Sequence, residues 1–313
     1  STTDTLEFGH SIPMSSETIA RREADTMNVH TASSTTPPRI GLALGGGGAR
    51  GLAHIPVLEA FDDLGLKPAR IAGTSIGAIL GAAYASGHSG EEIRRIVVET
   101  FADRNTVLSK VWQLRPKRFA DMFRARPVQI DPERVLDVFI AEHLPKSFED
   151  LHIPLRVLAT DFFGCEERDF EEGPLLPAIA ASIAIPTIFR PVKHADRFLI
   201  DGGVVNPLPF EGMRSDCDII VAVDVVGAPV PRADTSHINM LDALFGSSQI
   251  LMQTITAQKL KLEQPDILVR PPHDTVRVLD FLKAEQILER AEALRASTRE
   301  QLSALTKRPT MVT

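Results

Sequence analysis

The sequence predicts an α/β fold with a mostly parallel central sheet and helices on its faces, and three observations carry that prediction. Ile40-Gly41-Leu42-Ala43-Leu44 is a short apolar run that passes through a glycine loop straight into a segment of helical periodicity. Arg70-Ile71-Ala72-Gly73-Thr74 repeats the arrangement, followed by Ser75-Ile76-Gly77 and a second helical segment. Residues 218–226 hold a continuous apolar run, Ile219 to Val223, rather than an alternating one, as a strand covered on both faces requires.

Taken in order, residues 1–38 are rich in Ser and Thr, lack helical or alternating periodicity and close on Pro37-Pro38, so they read as a flexible leader. They lack the cationic start and apolar stretch of a secretory signal, although a chain beginning at Ser1 gives this little weight. After the strand at 40–44, Leu52, Ile55, Val57, Leu58 and Phe61 recur at helical spacing, and Gly65 is placed to stop that helix at its C′ position. The second strand and turn feed a helix expected to run to about Gly87. Residues 104–130 interrupt the alternation with Arg115, Lys117, Arg118, Arg124 and Arg126 among Trp112, Phe119, Met122 and Phe123. They read either as a solvated basic loop or as a cap whose cations and aromatics meet anionic lipid head groups.

Further on, Leu155–Thr160 reads as a strand, Leu175–Ile185 as a small-residue helix stopped by Pro186, and Arg197–Ile200 as a strand ending at Asp201-Gly202-Gly203. Helical patterns at about 237–262 and 279–305 flank a strand at Ile267-Leu268-Val269. With no internal repeat and no linker after residue 38, the economical organisation is a core over 39–225, with 226–313 extending the same domain.

Composition narrows the function classes. The 313 residues carry 34 Lys and Arg against 41 Asp and Glu, a formal net charge of −7, which argues against a generally basic nucleic-acid binder. Hydrophobic residues make up 43%, ordinary for a globular chain, yet no apolar run approaches the ~20 residues that cross a bilayer. Cys165 and Cys217 have neither C-x-x-C spacing nor neighbouring histidines, so two free thiols are expected and no metal site. With no export signal visible, a cytoplasmic location is expected, and any membrane contact is peripheral.

Two glycine-rich stretches carry chemistry. Gly73-Thr74-Ser75-Ile76-Gly77 fits G-x-S-x-G at a strand-to-helix junction, where the serine takes a strained conformation and glycine is wanted on both sides. The following helix holds Ala78, Gly81, Ala82 and Ala83, so it can lie close to the sheet with its N-terminal N–H groups toward Ser75. In Gly45–Gly48 with Arg50 and Gly51, successive N–H groups can converge on an anion, as in a phosphate loop or an oxyanion hole. Gly46, Gly48 and Gly51 match G-x-G-x-x-G, but no carboxylate near residue 70 is placed for a ribose and no Gly-Lys-Ser/Thr occurs, so a nucleotide cofactor is the weaker reading. For a base, His237 and His273 are the late histidines and both read as surface residues; Asp201, Asp161 and Asp224 each end a candidate strand.

The three pieces together, strand-Gly-Gly-Gly-x-Arg-Gly, then G-x-S-x-G, then Asp-Gly-Gly 126 residues beyond Ser75, resemble the patatin-like phospholipases. Ala181–Val192 before the aspartate and Val204–Pro209 after it are similar to bacterial members and the related neuropathy target esterase group. The resemblance spans roughly 39–225. It implies a three-layer α/β/α fold, no metal or other cofactor, and hydrolysis of phospholipid or lysophospholipid acyl esters through a Ser-Asp dyad. By motif position, Ser75 is the nucleophile and Asp201 the base; Gly46, Gly47, Gly48 and Arg50 form the oxyanion hole, and Gly73, Gly77, Gly202 and Gly203 are motif glycines. Plant patatins have Asp where Gly45 stands here, a difference that bears on loop rigidity. A weakly basic carboxylate serves such a dyad best when desolvated, so a raised Asp201 pKa is expected. A non-catalytic lipid-binding module and a thioesterase or short-chain esterase with the same dyad are the alternatives.

Overall fold

The computed structural model describes residues 37–114, 129–230, 238–272 and 276–307. The leader up to residue 36, the basic part of the 104–130 segment from 115 to 128, and both His237 and His273 lie outside these described residues.

Apolar sequence runs set the strands: β1 (Ile40–Leu44), β2 (Arg70–Thr74), β3 (Leu155–Asp161), β4 (Glu166–Phe170), β5 (Val192–His194), β6 (Arg197–Asp201), β7 (Ile219–Val223) and β8 (Ile267–Val269). They form one sheet in the order β5-β6-β3-β2-β1-β7-β8, with β4 also paired to β3. β3, β2, β1, β7 and β8 run parallel, while β4 and β6 pair antiparallel with β3 and β5 antiparallel with β6. The sheet is therefore parallel at its centre and mixed at one side. β4 escapes the sequence reading because its residues, Glu166-Glu167-Arg168-Asp169-Phe170, are mostly charged and exposed.

The helices are α1 (His54–Asp63), α2 (Ile76–Ala85), α3 (Gly90–Ala102), α4 (Arg104–Gln113), α5 (Pro132–Phe139), α6 (Leu175–Ser182), α7 (Met240–Leu262), α8 (Ala284–Ala291) and α9 (Ala293–Thr306). Gly65, at φ 62°, ends α1 as expected, with its N–H on the Asp62 carbonyl and the Leu66 N–H on the Phe61 carbonyl. α3 opens on a reciprocal cap between Ser89 and Glu92, and α5 on Asp131 with Pro132 behind it. Residues 104–113, expected in a loop or cap, are helical. α6 stops at Ser182 rather than near Ile185, and β7 is shorter than the 218–226 run.

Alternation along the strands divides the core. Leu42, Leu44, Ile71, Val157, Val221 and Val223 pack with apolar residues of α1, α2, α6, α8 and α9. Ala43, Ala72, Leu158, Ile220 and Ala222 meet Leu208, Phe210, Met213 and Leu260 of α7 instead. Helices thus cover both sides, and the small residues of the second face let α7 and the chain around Leu208 lie close to the sheet. Glu59, 2% exposed, accepts Arg94 Nε and Nη2, each at 2.6 Å, pinning α3 to α1. Cys217 is buried and Cys165 exposed, both as free thiols.

Candidate active site

The register of the sheet brings two strand ends together. On β3, Leu158 is paired with Thr74, the last residue of β2, and the adjacent Ala159 with Asp201, the last residue of β6. Ser75 follows Thr74 directly at φ 55° and ψ −121° as the N-cap of α2, a conformation that costs a non-glycine residue about 1–3 kcal/mol. Its Oγ donates to Asp201 Oδ2 at 2.7 Å, and the two side chains are 5% and 6% exposed. The flanking glycines answer to packing: a Cβ on Gly73 would lie 2.6 Å from the Gly77 carbonyl oxygen, and one on Gly77 2.0 Å from that of Leu44.

Asp201 is held from behind. Its Oδ1 accepts the Gly203 N–H at 2.7 Å and its carbonyl accepts the Thr160 hydroxyl at 2.8 Å. Burial pushes its carboxyl up to about 6, against the pull of the Ser75 and Gly203 hydrogen bonds. Gly202 and Gly203 are close-approach positions, since a Cβ on the first would meet the Leu158 carbonyl oxygen at 2.2 Å and one on the second Met252 Cε at 2.8 Å. The other strand-ending aspartates are committed elsewhere. Asp161 bonds Arg197 at 2.5 Å and the Gly164 N–H, which lower its pKa, and Asp224 pairs with Arg270 at 2.9 Å.

The glycine loop lies beside this pair, and the hydrogen bonds within it correct part of the sequence reading. Gly45 N–H donates to the Val223 carbonyl, Gly46 N–H to that of Pro207 at 2.9 Å, and Ala49 N–H to that of Val278 at 2.8 Å. Among the described residues, the N–H groups of Gly47 and Gly48 alone in this run have no acceptor. Gly46 is therefore not an available donor. Arg50 is not one through its side chain either: the guanidinium, 1% exposed, donates to the carbonyls of Val276 at 2.7 Å and Ala228 at 2.8 Å. It buttresses the loop instead, tying it to carbonyls 178 and 226 positions further along the chain, partners that no local pattern announces.

Two further residues escape sequence reasoning. His54, fully buried in the first turn of α1, donates through Nε2 to the Gly45 carbonyl at 2.9 Å; burial lowers its pKa to about 4, so the ring is neutral at pH 7. It fixes the start of the glycine loop. Ser182, at the end of α6, accepts the Ser75 N–H on its Oγ at 2.8 Å. A buried histidine or serine in an apolar segment carries no signal in one sequence.

Two cavities share Ser75 in their walls. One, of about 300 Å³, reaches from Ser75 and Gly48 between α2, α3 and α5, and is lined by apolar side chains such as Ile79, Val97, Phe101, Leu136 and Phe189. The other, about 50 Å³, is bordered by Gly47, Gly48, Ser75, Asp201 and Met252. The arrangement offers a hydroxyl bonded to a buried carboxylate, two adjacent unpartnered amides and an apolar slot. Among the described residues, no group of three or more His, Cys, Asp or Glu side chains is placed to hold a metal, and no helix is long and apolar enough to cross a membrane.

A family model described as patatin-like phospholipase matches residues 42–214. An uncharacterised NTE family protein of Mycobacterium tuberculosis is 33% identical over 231 residues, which cover 72% of this chain and 61% of the relative. Patatin-like phospholipase domain-containing protein 7 of Rattus norvegicus is 28% identical over 278 residues, covering 80% of this chain and 20% of the relative. Among solved structures, human GIVD cytosolic phospholipase A2 aligns with a TM-score of 0.43 at 11% identity, covering 86% of this chain and 60% of the other. The chain thus spans about three fifths of the mycobacterial relative's length and one fifth of the rat protein's.

Proposed function

The chain belongs to the patatin-like phospholipase family, and on that premise we propose that it is a serine lipid acyl hydrolase acting on phospholipids or lysophospholipids through Ser75 and Asp201. The observation that carries this reading is the 2.7 Å bond from Ser75 Oγ to a buried carboxylate, at the wall of an apolar cavity of about 300 Å³.

Asp201 takes the Ser75 proton as Oγ attacks the acyl carbonyl carbon, forming a tetrahedral intermediate. The unpartnered N–H groups of Gly47 and Gly48 receive the oxyanion, in a site dry enough to strengthen those bonds. Collapse breaks the C–O bond to the leaving alcohol, which takes the proton from Asp201 and leaves an acyl ester on Ser75. Water then gives its proton to Asp201 and attacks that ester, and the proton returns to Ser75 as the fatty acid departs. The apolar cavity receives the acyl chain, and its volume lies at the lower end of the ~300–1,000 Å³ typical of ligand sites. A pKa of about 6 suits Asp201 to both halves, since the group is mostly ionised at pH 7 yet basic enough to hold a proton. In this reading 226–313 is an integral part of the catalytic unit, because Val276, Val278 and Ala228 are the partners of Arg50 and Ala49.

The test is hydrolysis of a panel running from a short p-nitrophenyl ester to lysophospholipid and diacyl phospholipid, with wild type, Ser75→Ala and Asp201→Asn side by side. Long-chain acyl esters should be cleaved by wild type alone. Hydrolysis surviving in Ser75→Ala would refute the reading. Preference for a thioester or a short chain would move the substrate class while keeping the chemistry.

A further inference from the structure

The strained backbone of Ser75 needs something to hold it; its carbonyl is held by the Ala78 and Ile79 N–H groups of α2, and its amide by the end of α6. Ser182 is fully buried, and its Oγ accepts the Ser75 N–H at 2.8 Å. Two residues on, the Ala184 carbonyl accepts the Asp201 N–H at 3.0 Å. One turn of chain, Ser182–Ala184, is thus bonded to the backbones of both members of the pair, at residues that 126 positions of sequence separate.

We propose that Ser182 is a positioning residue of the reaction, and that the Ser182–Ala184 turn is a bracket that sets the reach from Ser75 Oγ to Asp201. This rests on the reading of Ser75 as nucleophile. The physical grounds are three. An N–H buried beside an apolar cavity requires an acceptor, and the Ser75 amide has no backbone carbonyl for a partner, so the Ser182 hydroxyl supplies it. The acceptor must also be short and rigid, and serine at the end of a packed helix, with Ala180, Ala181 and Ala184 around it, is both. Finally, the bond commits the Ser75 amide, so the nucleophile's own N–H is unavailable to an oxyanion, which the neighbouring unpartnered amides of the glycine loop can receive instead. Without the hydroxyl, the amide loses its acceptor, the strained conformation keeps only the restraint of its carbonyl on the Ala78 and Ile79 N–H groups, and Oγ samples positions out of line with both Asp201 and the Gly47–Gly48 amides.

The role is separable from mere support of the fold. In Ser182→Ala, active sites are counted by stoichiometric labelling with a fluorophosphonate and turnover of a p-nitrophenyl ester is expressed per labelled site, alongside a thermal melt. The expected result is a kcat per labelled site lower by about ten- to a hundred-fold, with KM within about two-fold of wild type, because ester binding in the apolar cavity does not involve Ser182. A variant that melts earlier but turns over at the wild-type rate per labelled site would assign Ser182 to stability alone and overturn the proposal. Ser182→Cys, nearly the same shape with a weaker acceptor, gives the same discrimination if the alanine variant does not accumulate, and its kcat should lie between the two. If wild type itself is not labelled at Ser75, the functional reading fails and this assignment fails with it.

Discussion

Exchanging Asp201 for Asn replaces one carboxylate oxygen by an amide nitrogen, and the geometry allows the exchange without disturbing neighbours. Oδ1 continues to accept the Gly203 N–H, while the new Nδ2 donates to Ser75 Oγ across the 2.7 Å now spanned in the opposite direction. The serine proton then has no acceptor, so turnover falls by on the order of 10⁴-fold or more. Stability moves the other way. Burial raises the carboxyl from 3.8 to about 6, so the ionised form is disfavoured in the folded state by about 3 kcal/mol once the pH exceeds both values. Between pH 3.8 and about 6 the native state binds more protons than the unfolded one, so this group's penalty grows as the pH rises through that window and is absent below it. Asn carries no such penalty. The variant should therefore be more stable than wild type at pH 7.5 by up to about 3 kcal/mol, with the gain vanishing near pH 4. Urea unfolding at the two pH values, with the ester assay on the same samples, measures both effects. A variant that is inactive and less stable than wild type at pH 7.5 would refute the account of a carboxylate kept charged at the expense of stability.

The same titration sets the pH dependence of catalysis: kcat/KM should fall about tenfold per pH unit below pH 6, as the base becomes protonated, whereas an Asp161 base, its pKa lowered by the Gly164 N–H and Arg197, would show no such fall just below pH 6. In the glycine loop, Gly48→Ala puts a Cβ 2.2 Å from the Val278 carbonyl oxygen at a φ of 60°, and should cost ~10²–10³ in kcat. Gly46→Ala meets nothing nearer than 3.3 Å, and its far smaller loss in the same assay would bear out the narrowed oxyanion site. Ile79→Trp fills part of the apolar cavity, and excluding two methylenes at ~0.8 kcal/mol each should shift chain-length preference about tenfold toward shorter esters in a competition assay.

What the sequence made legible follows the range of the interactions. β1, β2 and the turn to α2 are written locally, in apolar runs and in glycines whose Cβ atoms would strike Leu44 or Ala78 within a few tens of residues. β6 and its Asp-Gly-Gly turn were readable for the same reason. α3 and α5 carry local start signals too, Ser89-Gly90-Glu91-Glu92 and Asp131-Pro132. β4 was not readable, because a charged edge strand is defined by its partner rather than by its own pattern. The site divides in the same way. Ser75 and Asp201 sit in motifs, but whether Gly46 or Gly47 presents a free amide depends on Pro207, and the duty of Arg50 depends on Val276 and Ala228. Ser182 and His54 act through single hydrogen bonds to backbone, and no spacing announces such a bond.

The most direct test of the central claim is mass-spectrometric mapping of the adduct formed when the full chain is treated with an acyl-mimicking fluorophosphonate. The account predicts a single stoichiometric adduct on Ser75, absent from Ser75→Ala and strongly slowed in Asp201→Asn. An adduct on another residue, or ester hydrolysis that persists with Ser75 unlabelled, would contradict it.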